Sequence, residues 1–435
     1  MGNERAFLIG VHPKNHSREE YEYSMQELAN LADTAEITIV NTFIQALDKP
    51  DSSTLIGSGK LQEIISQIEE NKISTLIFND NLTSSQAKNI AKKTNCNIVD
   101  RTELILDIFA KHAQTYESRL QVELAQLEYS YSKLRNLWQH FSRIVGGVGV
   151  RGPGEKQIEV DRRLVRKKVS DLKAKLEHIK KTTEAKRKKR ADQISICLIG
   201  YTNAGKSTLF NTLTKENIYT ADKLFATLDA TTRALCIGSK DKLVLTDTIG
   251  FIENLPPGLI QSFYSTLYEV RYADLLIHVV DINNSKREQH IDTVNRILKD
   301  LKSDDKDILI VFNKCDTFLS LQNTFVKKQL HNKYKDCVFI SAKSGENINI
   351  LKERMNKFID KRKVIKKFII PLDMEKIVSF LHNNSDIQSL NYNETDNVFE
   401  CETLIDKNII NNIQMQLDKS TMLKFINTEK KMKDV

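Results

Sequence analysis

Residues 200–207 read GYTNAGKS, a complete phosphate-binding loop of the form G-x-x-x-x-G-K-S. The apolar run 194–199 precedes this loop, and the helix-forming segment TLFN follows it. A strand, a glycine-rich loop and a helix in this order surround nucleotide phosphates with backbone N–H groups and a helix N-terminus. The loop therefore predicts a nucleotide-binding α/β domain with a doubly wound sheet, with an ATP site or a degenerate loop as the alternatives.

Three further motifs follow in order, each at the end of a predicted strand. The strand 242–246 runs into DTIG, the strand 308–312 into NKCD and the strand 336–340 into SAK. Asp316, the last residue of NKCD, can accept two hydrogen bonds from the N1–H and 2-amino groups of guanine, which adenine does not offer. The carboxyl ends of parallel strands share one sheet edge, so the four motifs together predict GTP binding.

Lys206 is predicted to supply positive charge to the phosphates, and Ser207 a hydroxyl ligand for Mg²⁺. Asp247 is predicted to lie near the Mg²⁺ ion without binding it directly. The Gly250 N–H is predicted to reach the γ-phosphate. These motifs give the predicted GTP-binding residues Gly200, Tyr201, Thr202, Asn203, Ala204, Gly205, Lys206, Ser207, Asp247, Thr248, Ile249, Gly250, Asn313, Lys314, Cys315, Asp316, Ser341, Ala342 and Lys343.

Two positions bear on the rate of hydrolysis. Phe251 follows Gly250, where Ras-like GTPases carry a glutamine that orients the attacking water, and a phenyl ring cannot form that hydrogen bond. Slow intrinsic turnover is therefore expected, with activation by a partner. Asn203 leaves two hypotheses open: it places K⁺ beside the phosphates, or it hydrogen-bonds the switch backbone.

Composition places the chain among globular proteins. It has 435 residues, 40% hydrophobic and 28% charged, and no apolar run approaches the roughly 18 residues that span a bilayer. The N-terminus does not resemble a signal peptide, and the six cysteines contain no C-x-x-C pair, so reduced core thiols are expected rather than a metal site or disulfides. We expect a cytoplasmic monomer without integral membrane segments.

Residues 1–100 alternate between predicted strands and helices, which indicates a small α/β domain with a largely parallel sheet. The segment GSGK at 57–60 resembles half of a phosphate loop, but Thr54 stands where the first glycine belongs. A glycine-rich turn before a helix is the favoured interpretation. A second nucleotide site and contact with RNA phosphate are the alternatives.

Residues 101–190 are predicted to form an antiparallel helical hairpin. Apolar residues step by 4 and 3 from Leu120 to Val145, and the same spacing returns from Ile158 to Ile179 with Arg162 as an interruption. If the first helix begins near Thr102, it is about 65 Å long at ~1.5 Å per residue.

The second half of the predicted hairpin has a larger net positive charge than the whole chain. Residues 162–190 contain fourteen Lys or Arg against three acidic residues, a local balance of +11 in a chain of net charge +8. Such density favours a polyanion partner, RNA above all, over a merely solvated helix face. The predicted tip, GGVGVRGPGE at 146–155, combines flexible glycines with basic residues; a plain connector is the alternative. The RNA-binding candidates are Arg143, Arg151, Lys156, Arg187, Lys188, Lys189 and Arg190.

The GTPase domain is predicted to span residues 191–361. Residues 362–435 are rich in Lys, Asn and Ile, and predict a small α+β module with strands at 366–372 and 398–404 and a helix at 374–381. This module carries no motif that assigns a function.

Several stretches resemble the HflX-type translational GTPases closely. They are RTELILDIF from Arg101, RLQVELAQL from Arg119, the tip GGVGVRGPGE, FATLDATTR from Phe225 and DTIGFIENLP from Asp247. The resemblance covers roughly residues 5–365. It implies a GTPase, stimulated by the ribosome, that binds the large ribosomal subunit through the hairpin domain and separates stalled or idle ribosomes into subunits.

The resemblance also implies roles in the switch segment. Thr227 matches the threonine that joins Ser207 on Mg²⁺ in the GTP state, so the predicted catalytic residues are Lys206, Thr227 and Gly250. The switch adds Phe225, Ala226, Thr227, Leu228 and Asp229 to the predicted GTP-binding residues. Ala230 departs from the family pattern, which usually has Pro there.

Two other functions remain as alternatives. One is a nucleotide-gated adaptor that regulates a protein partner, with the hairpin as a docking rod. The other is a GTPase in ribosome assembly or RNA modification. The basic second helix argues against a protein-binding rod, because such a rod needs an apolar stripe beyond its own seam.

Overall fold

The computed structural model describes residues 4–12, 18–144, 153–188, 193–216, 223–237, 243–253, 268–318, 323–372, 375–406 and 410. Two compact units account for the chain. The first comprises residues 1–180, 219–230 and 249–268, and the second residues 181–218, 231–248 and 269–435. The first unit thus combines the predicted N-terminal domain with most of the hairpin, and the second combines most of the GTPase domain with the C-terminal module. The boundaries of the four predicted domains stay predictions.

The first unit begins with a four-stranded parallel sheet of order β2-β1-β3-β4. Its strands β1 and β3 are buried along nearly their whole length, as expected for strands covered on both faces. The predicted α/β alternation is therefore confirmed, and the GSGK segment does lie where α2 begins. The elements are β1 (Arg5–His12), α1 (Arg18–Thr34), β2 (Thr38–Ala46), α2 (Ser58–Asn71), β3 (Thr75–Phe78), α3 (Ser84–Thr94) and β4 (Asn97–Asp100).

Among the described residues, three helices follow this sheet along the chain: α4 (Arg101–His112), α5 (Tyr116–Ile144) and α6 (Pro153–Lys188). The residues of α6 after Lys180 belong to the second unit. The expectation of one helix from Thr102 is wrong, because Ala113 is extended and the chain starts a new helix after Thr115. Thr115 caps α5 by accepting a hydrogen bond at Oγ1 from the Ser118 N–H at 3.1 Å. The 29 residues of α5 give it a length of about 43 Å at ~1.5 Å per residue.

Helices α5 and α6 pack as the antiparallel hairpin that the heptads predict. Leu120, Leu124 and Leu172 are buried together, with Leu127, Val169, Leu176 and Ile179 against them. Ion pairs Lys168–Glu123 and Lys173–Glu128, at 2.7 and 2.8 Å, join the two helices beside this seam. The loop between the helices, residues 145–152, lies outside the described residues, and so does most of the predicted tip.

The second unit contains a six-stranded sheet of order β10-β9-β8-β5-β7-β6, parallel except for β6. This is the doubly wound sheet predicted for the phosphate-loop domain. Its strands are β5 (Ile194–Gly200), β6 (Thr231–Leu235), β7 (Leu243–Asp247), β8 (Leu275–Asp281), β9 (Asp307–Asn313) and β10 (Val338–Phe339). Its helices are α7 (Lys206–Thr214), α8 (Tyr268–Tyr272), α9 (Arg287–Asp300), α10 (Asn323–Lys333) and α11 (Ile348–Arg362).

The described residues of the C-terminal module form a three-stranded antiparallel sheet of order β11-β13-β12 and one helix. Its elements are β11 (Lys363–Pro371), α12 (Glu375–Asn384), β12 (Asp386–Asn393) and β13 (Val398–Asp406). The α+β class is as predicted, and β12 is an additional strand. Arg362 connects this module to the GTPase domain, because its guanidinium contacts Asp274 at 2.8 Å and Asp406 at 3.2 Å.

Candidate functional site

The phosphate-binding loop occupies the turn between β5 and α7, as predicted. Gly200 has φ 149° and lies so close to β8 that a Cβ atom would stand 2.2 Å from the Val279 carbonyl oxygen. Gly205 has φ 91°, and a Cβ there would stand 2.2 Å from the Asn313 side chain. Both glycines of the motif are therefore required by backbone conformation and by space.

Lys206 is buried at the first turn of α7. Its ammonium donates to the carbonyl oxygens of Gly200 at 3.2 Å and Tyr201 at 2.8 Å, which fold the side chain back over the loop. Burial lowers the pKa of this lysine to about 8, because the charged form is deprived of water. A cation held inside the loop in this way can pair with nucleotide phosphates.

Ser207 and Asp247 supply an oxygen-rich position beside the loop. The Ser207 hydroxyl donates to Asp247 Oδ2 at 2.6 Å, and Asp247 is buried at the end of β7. A hydroxyl and a carboxylate are hard oxygen donors of the kind that Mg²⁺ prefers, so these residues fit the ion that the family implies. When bound, Mg²⁺ neutralises phosphate charge during phosphoryl transfer.

Asn313 hydrogen-bonds both the phosphate-binding loop and the SAK segment at residues 341–343. Its side-chain amide donates to the Ala204 carbonyl at 2.9 Å, and its Oδ1 accepts from the Ala342 N–H at 2.9 Å. Ser341 and Ala342 are buried, whereas the Lys343 side chain is exposed. One buried amide thus fixes the relative positions of two predicted nucleotide-binding segments.

Two residues that the sequence motifs did not indicate, Asp281 and Asn283, hold the NKCD turn. Lys314, in the left-handed region at φ 65°, pairs with Asp281 at 2.9 Å, and Asn283 donates to the Lys314 carbonyl at 3.0 Å. Asp281 is the last residue of β8, and no motif was assigned to the end of that strand. Its position at the carboxyl end of a strand next to β9 is the sequence signal that could have identified it. Cys315 is buried, and Asp316 is half-buried in the single helical turn Cys315–Thr317.

Two buried histidines lie beneath the loop. The imidazole of His290 stacks on the Tyr201 ring at 3.6 Å with an interplanar angle of 2°. Burial lowers the pKa of His290 to about 4 and that of His278, in β8, to about 3. The neighbouring Lys206 charge is a further cause for His278. Both rings are therefore neutral near pH 7.

The remaining loop residues and the switch residues are placed as follows. Thr202 and Thr248 are buried, and the Thr248 hydroxyl donates to the Leu198 carbonyl at 2.6 Å. Asn203 is exposed and left-handed, at φ 59°. The predicted residues of the switch and of the DTIG turn that belong to the first unit are Phe225, Ala226, Thr227, Leu228, Asp229, Ile249 and Gly250. Their roles toward GTP stay predictions.

The predicted RNA-binding residues fall mostly outside what the structure describes. Arg151, Lys189 and Arg190 lie in the gaps, and of Arg143, Lys156, Arg187 and Lys188 only the helical backbone is described. In the described part of the chain, no helix is both long and apolar enough to cross a bilayer. No cluster of His, Cys, Asp and Glu suited to a metal is found among these residues either.

Three family descriptions match successive parts of the chain. Residues 22–110 match GTP-binding GTPase N-terminal, residues 112–190 match GTP-binding GTPase Middle Region, and residues 195–314 match 50S ribosome-binding GTPase. Among solved structures, that of SsGBP in complex with GDP aligns with 81% of this chain and 98% of its own, at 27% identity and a TM-score of 0.47.

Curated relatives cover most of the chain. GTPase HflX of Flavobacterium psychrophilum is 48% identical over 318 residues, which are 73% of this chain and 77% of that protein. GTPase HflX of Alkalihalophilus pseudofirmus is 40% identical over 402 residues, which are 92% of this chain and 93% of that protein. With the phosphate loop, the NKCD turn and the Ser207–Asp247 pair in place, the chain belongs to the GTPase HflX family and is a GTPase.

Proposed function

We propose that this GTPase binds the large ribosomal subunit through its basic hairpin and uses the GTP-bound state to separate stalled or idle ribosomes into subunits. The matched description of residues 195–314, 50S ribosome-binding GTPase, supports the choice of partner. Hydrolysis to GDP then releases the protein, with the ribosome as the activator.

The observation that carries this proposal is that the basic residues of α6 fall into two groups: some contact α5, and others are exposed without an ion pair among the described residues. Arg166, Lys168 and Lys173 are engaged with Tyr131, Glu123 and Glu128 of α5, and so hold the hairpin together. Four other basic residues of α6 are exposed and form no ion pair with any residue that the structure describes: Arg163, Lys167, Lys175 and Lys181.

Exposed cations along one helix form the electrostatic footprint of a nucleic-acid partner. Phosphate contacts supply sequence-independent affinity, which suits a protein that must meet ribosomal RNA at a fixed place. The heptad seam is already filled by the hairpin itself, and the four cations are exposed outside it. This favours an RNA-binding hairpin over a rod that docks on an apolar protein surface.

In the proposed reaction the chain's own residues bind and orient GTP. The loop amides and Lys206 hold the phosphates, Asp316 selects guanine, and Ser207 with Thr227 would hold Mg²⁺. Phe251 is buried at 1% exposure and has no group that can orient a water molecule. The catalytic arrangement is therefore completed when the ribosome is bound, which links hydrolysis to the partner.

Sedimentation of the protein with purified large subunits tests the proposal. We expect tight co-sedimentation with GTP and with a non-hydrolysable analogue, and weak co-sedimentation with GDP. Added large subunits should also raise the GTP turnover rate at least tenfold. Equal binding in all three nucleotide states, or unchanged turnover, would contradict the proposal.

A further inference from the structure

The switch segment is fastened to the N-terminal unit on both sides of Thr227. On the upstream side, the Leu224 N–H donates to Thr34 Oγ1 at the end of α1, at 3.2 Å. The Phe225 carbonyl accepts a hydrogen bond from His112 Nδ1 at 2.8 Å, and the Phe225 ring packs edge-on against Phe109 at 4.7 Å. Helices α1 and α4 therefore hold this flank.

The downstream side is held by one carboxylate at the start of α5. Asp229 Oδ2 accepts from the N–H groups of Gln114 and Thr115 at 3.0 and 3.2 Å, and Oδ1 accepts from the Thr115 hydroxyl at 2.7 Å. Thr115 in turn caps α5 through the Ser118 N–H. Asp229 thus extends the cap of the first hairpin helix and supports it with a negative charge at the helix N-terminus.

Residues of the switch segment on either side of Thr227 are packed tightly within the first unit. Phe225 and Leu228 are each 2% exposed, and Phe225 is held in the left-handed region at φ 55°. A non-glycine residue with this φ persists only where its surroundings enforce it. Thr227 itself is only partly buried, between the two fixed flanks.

We propose that Asp229 is a positioning residue for GTP hydrolysis: it anchors the switch segment to the start of α5 and thereby presents Thr227. This inference rests on the proposed role of Thr227. An unrestrained residue loses backbone conformational entropy when it is ordered, and this loss opposes the formation of the hydrolysis-competent arrangement. The two anchors remove most of that cost before GTP arrives, and they connect the switch to the hairpin helix.

The chemistry of the anchor separates this role from a direct one. Asparagine keeps an oxygen that accepts from both N–H groups, and its amide can donate to the Thr115 hydroxyl. As a helix cap it is about as good as aspartate, whereas alanine has no acceptor. Asp229→Asn should therefore retain function if Asp229 anchors α5, and should fail like Asp229→Ala if its charge acts on the nucleotide or the metal.

The experiment measures single-turnover hydrolysis at saturating GTP, without ribosomes, together with the affinity for GDP. We expect Asp229→Ala to lower the hydrolysis rate about tenfold to a hundredfold, the range that misplacement of a catalytic group by about 1 Å can produce. Asp229→Asn should remain within about threefold of the wild type. GDP affinity should fall much less than the hydrolysis rate, because both carboxylate oxygens of Asp229 are bonded to Gln114 and Thr115 rather than to the phosphate loop or the base motifs.

Thr83→Ala is the matched control, since Thr83 caps α3 in the same unit through a capping box. It removes a helix cap without touching the switch and should leave the hydrolysis rate unchanged. A normal rate in Asp229→Ala, an equal loss in Asp229→Asn, or an equal loss in Thr83→Ala would each overturn the inference. Thr227→Ala distinguishes failure of the proposed role of Thr227 from failure of the anchoring role of Asp229. Normal GTP hydrolysis in Thr227→Ala would contradict the role of Thr227 itself, on which the role of Asp229 rests.

Discussion

At the scale of single residues, each base-site side chain has one definable task. Asn313 joins the phosphate loop to the SAK segment, and the Lys314–Asp281 pair steadies the turn that presents Asp316. The predicted role of Asp316 makes guanine selection depend on a carboxylate that accepts two hydrogen bonds from the base, so a change of the chemistry at position 316 tests that role.

Replacement of Asp316 should exchange one base for another. In Asp316→Asn the amide can donate where xanthine presents an oxygen, so we expect GTP affinity to fall about a hundredfold and xanthosine triphosphate to bind. Competition against fluorescent GDP measures both affinities. Asp305→Asn, at an exposed aspartate of the same domain, is the control and should keep GTP preference. Unchanged GTP affinity in Asp316→Asn would remove Asp316 from base recognition.

Asn203 separates two accounts of catalysis. Its exposed, left-handed position in the phosphate loop is compatible with both hypotheses. The potassium hypothesis predicts faster hydrolysis in K⁺ than in Na⁺ at equal ionic strength, and loss of that difference in Asn203→Ala, since a charge beside the transferring phosphoryl group lowers the barrier. Phosphate release measures both rates. Equal rates in the two salts for the wild type would leave the hydrogen-bonding role of Asn203.

The buried His278 should make the GTPase domain sensitive to mild acid. Its pKa in the folded state is about 3, below the unfolded value of about 6.5, so the unfolded state takes up the proton first as pH falls. Stability should be fully present above pH 6.5 and fall by about 2 kcal/mol per such histidine between pH 6.5 and 5. His290, with a pKa of about 4, adds to this loss.

Urea-induced release of fluorescent GDP, measured at pH 7 and pH 5, checks this expectation. His278→Leu should lose about 2 kcal/mol less than the wild type between the two pH values, whereas His382→Leu, at an exposed histidine, should match the wild type. An identical pH response in His278→Leu would show that His278 is not the titrating group.

At the scale of elements, periodicity and motif context predicted most of the architecture. The four N-terminal strands, the phosphate-loop sheet and the antiparallel hairpin are where the sequence placed them, because buried strands and heptad seams leave strong local patterns. The break at residues 113–115 escaped prediction, since Thr115 caps α5 together with Asp229, which lies more than a hundred residues away. The strand β12 escaped prediction although its segment SLNYN alternates polar and apolar residues, because that alternation is short and no residue of the strand is buried.

The exposed cations of α6 carry the prediction that belongs to this scale. Arg163, Lys167, Lys175 and Lys181, all changed to Gln, should weaken binding to large subunits and flatten its dependence on salt. Each lost phosphate contact lowers the slope of log affinity against log salt by about 0.7–0.9. Co-sedimentation between about 50 and 200 mM salt, the range in which phosphate contacts have large effects, measures this slope.

The matched control removes the same charge from the GTPase domain: Lys328, Lys335, Lys357 and Lys361, also changed to Gln, are exposed and form no ion pair within the described residues. This variant should keep the wild-type salt slope. If both variants bind like the wild type, the cations of α6 are solvated surface and the hairpin interface lies elsewhere.

At the scale of the whole molecule, a guanine nucleotide site and a basic hairpin occur in one chain. The switch segment 224–229 belongs to the same compact unit as most of the hairpin. Asp229 contacts Gln114 and Thr115, the two residues that precede α5. Sequence motifs revealed both parts, because each is encoded locally. The anchor between the switch segment and the start of α5 depends on contacts between residues more than a hundred positions apart and became visible only in three dimensions.

The most direct test of the account is light scattering of intact ribosomes after mixing with the protein. We predict that scattering falls to the level of separate subunits with GTP and with a non-hydrolysable analogue, and stays constant with GDP. The Gln variant of the α6 cations should leave scattering unchanged at physiological salt. Constant scattering with wild-type protein that is bound to ribosomes and loaded with GTP would contradict the proposed separation of subunits.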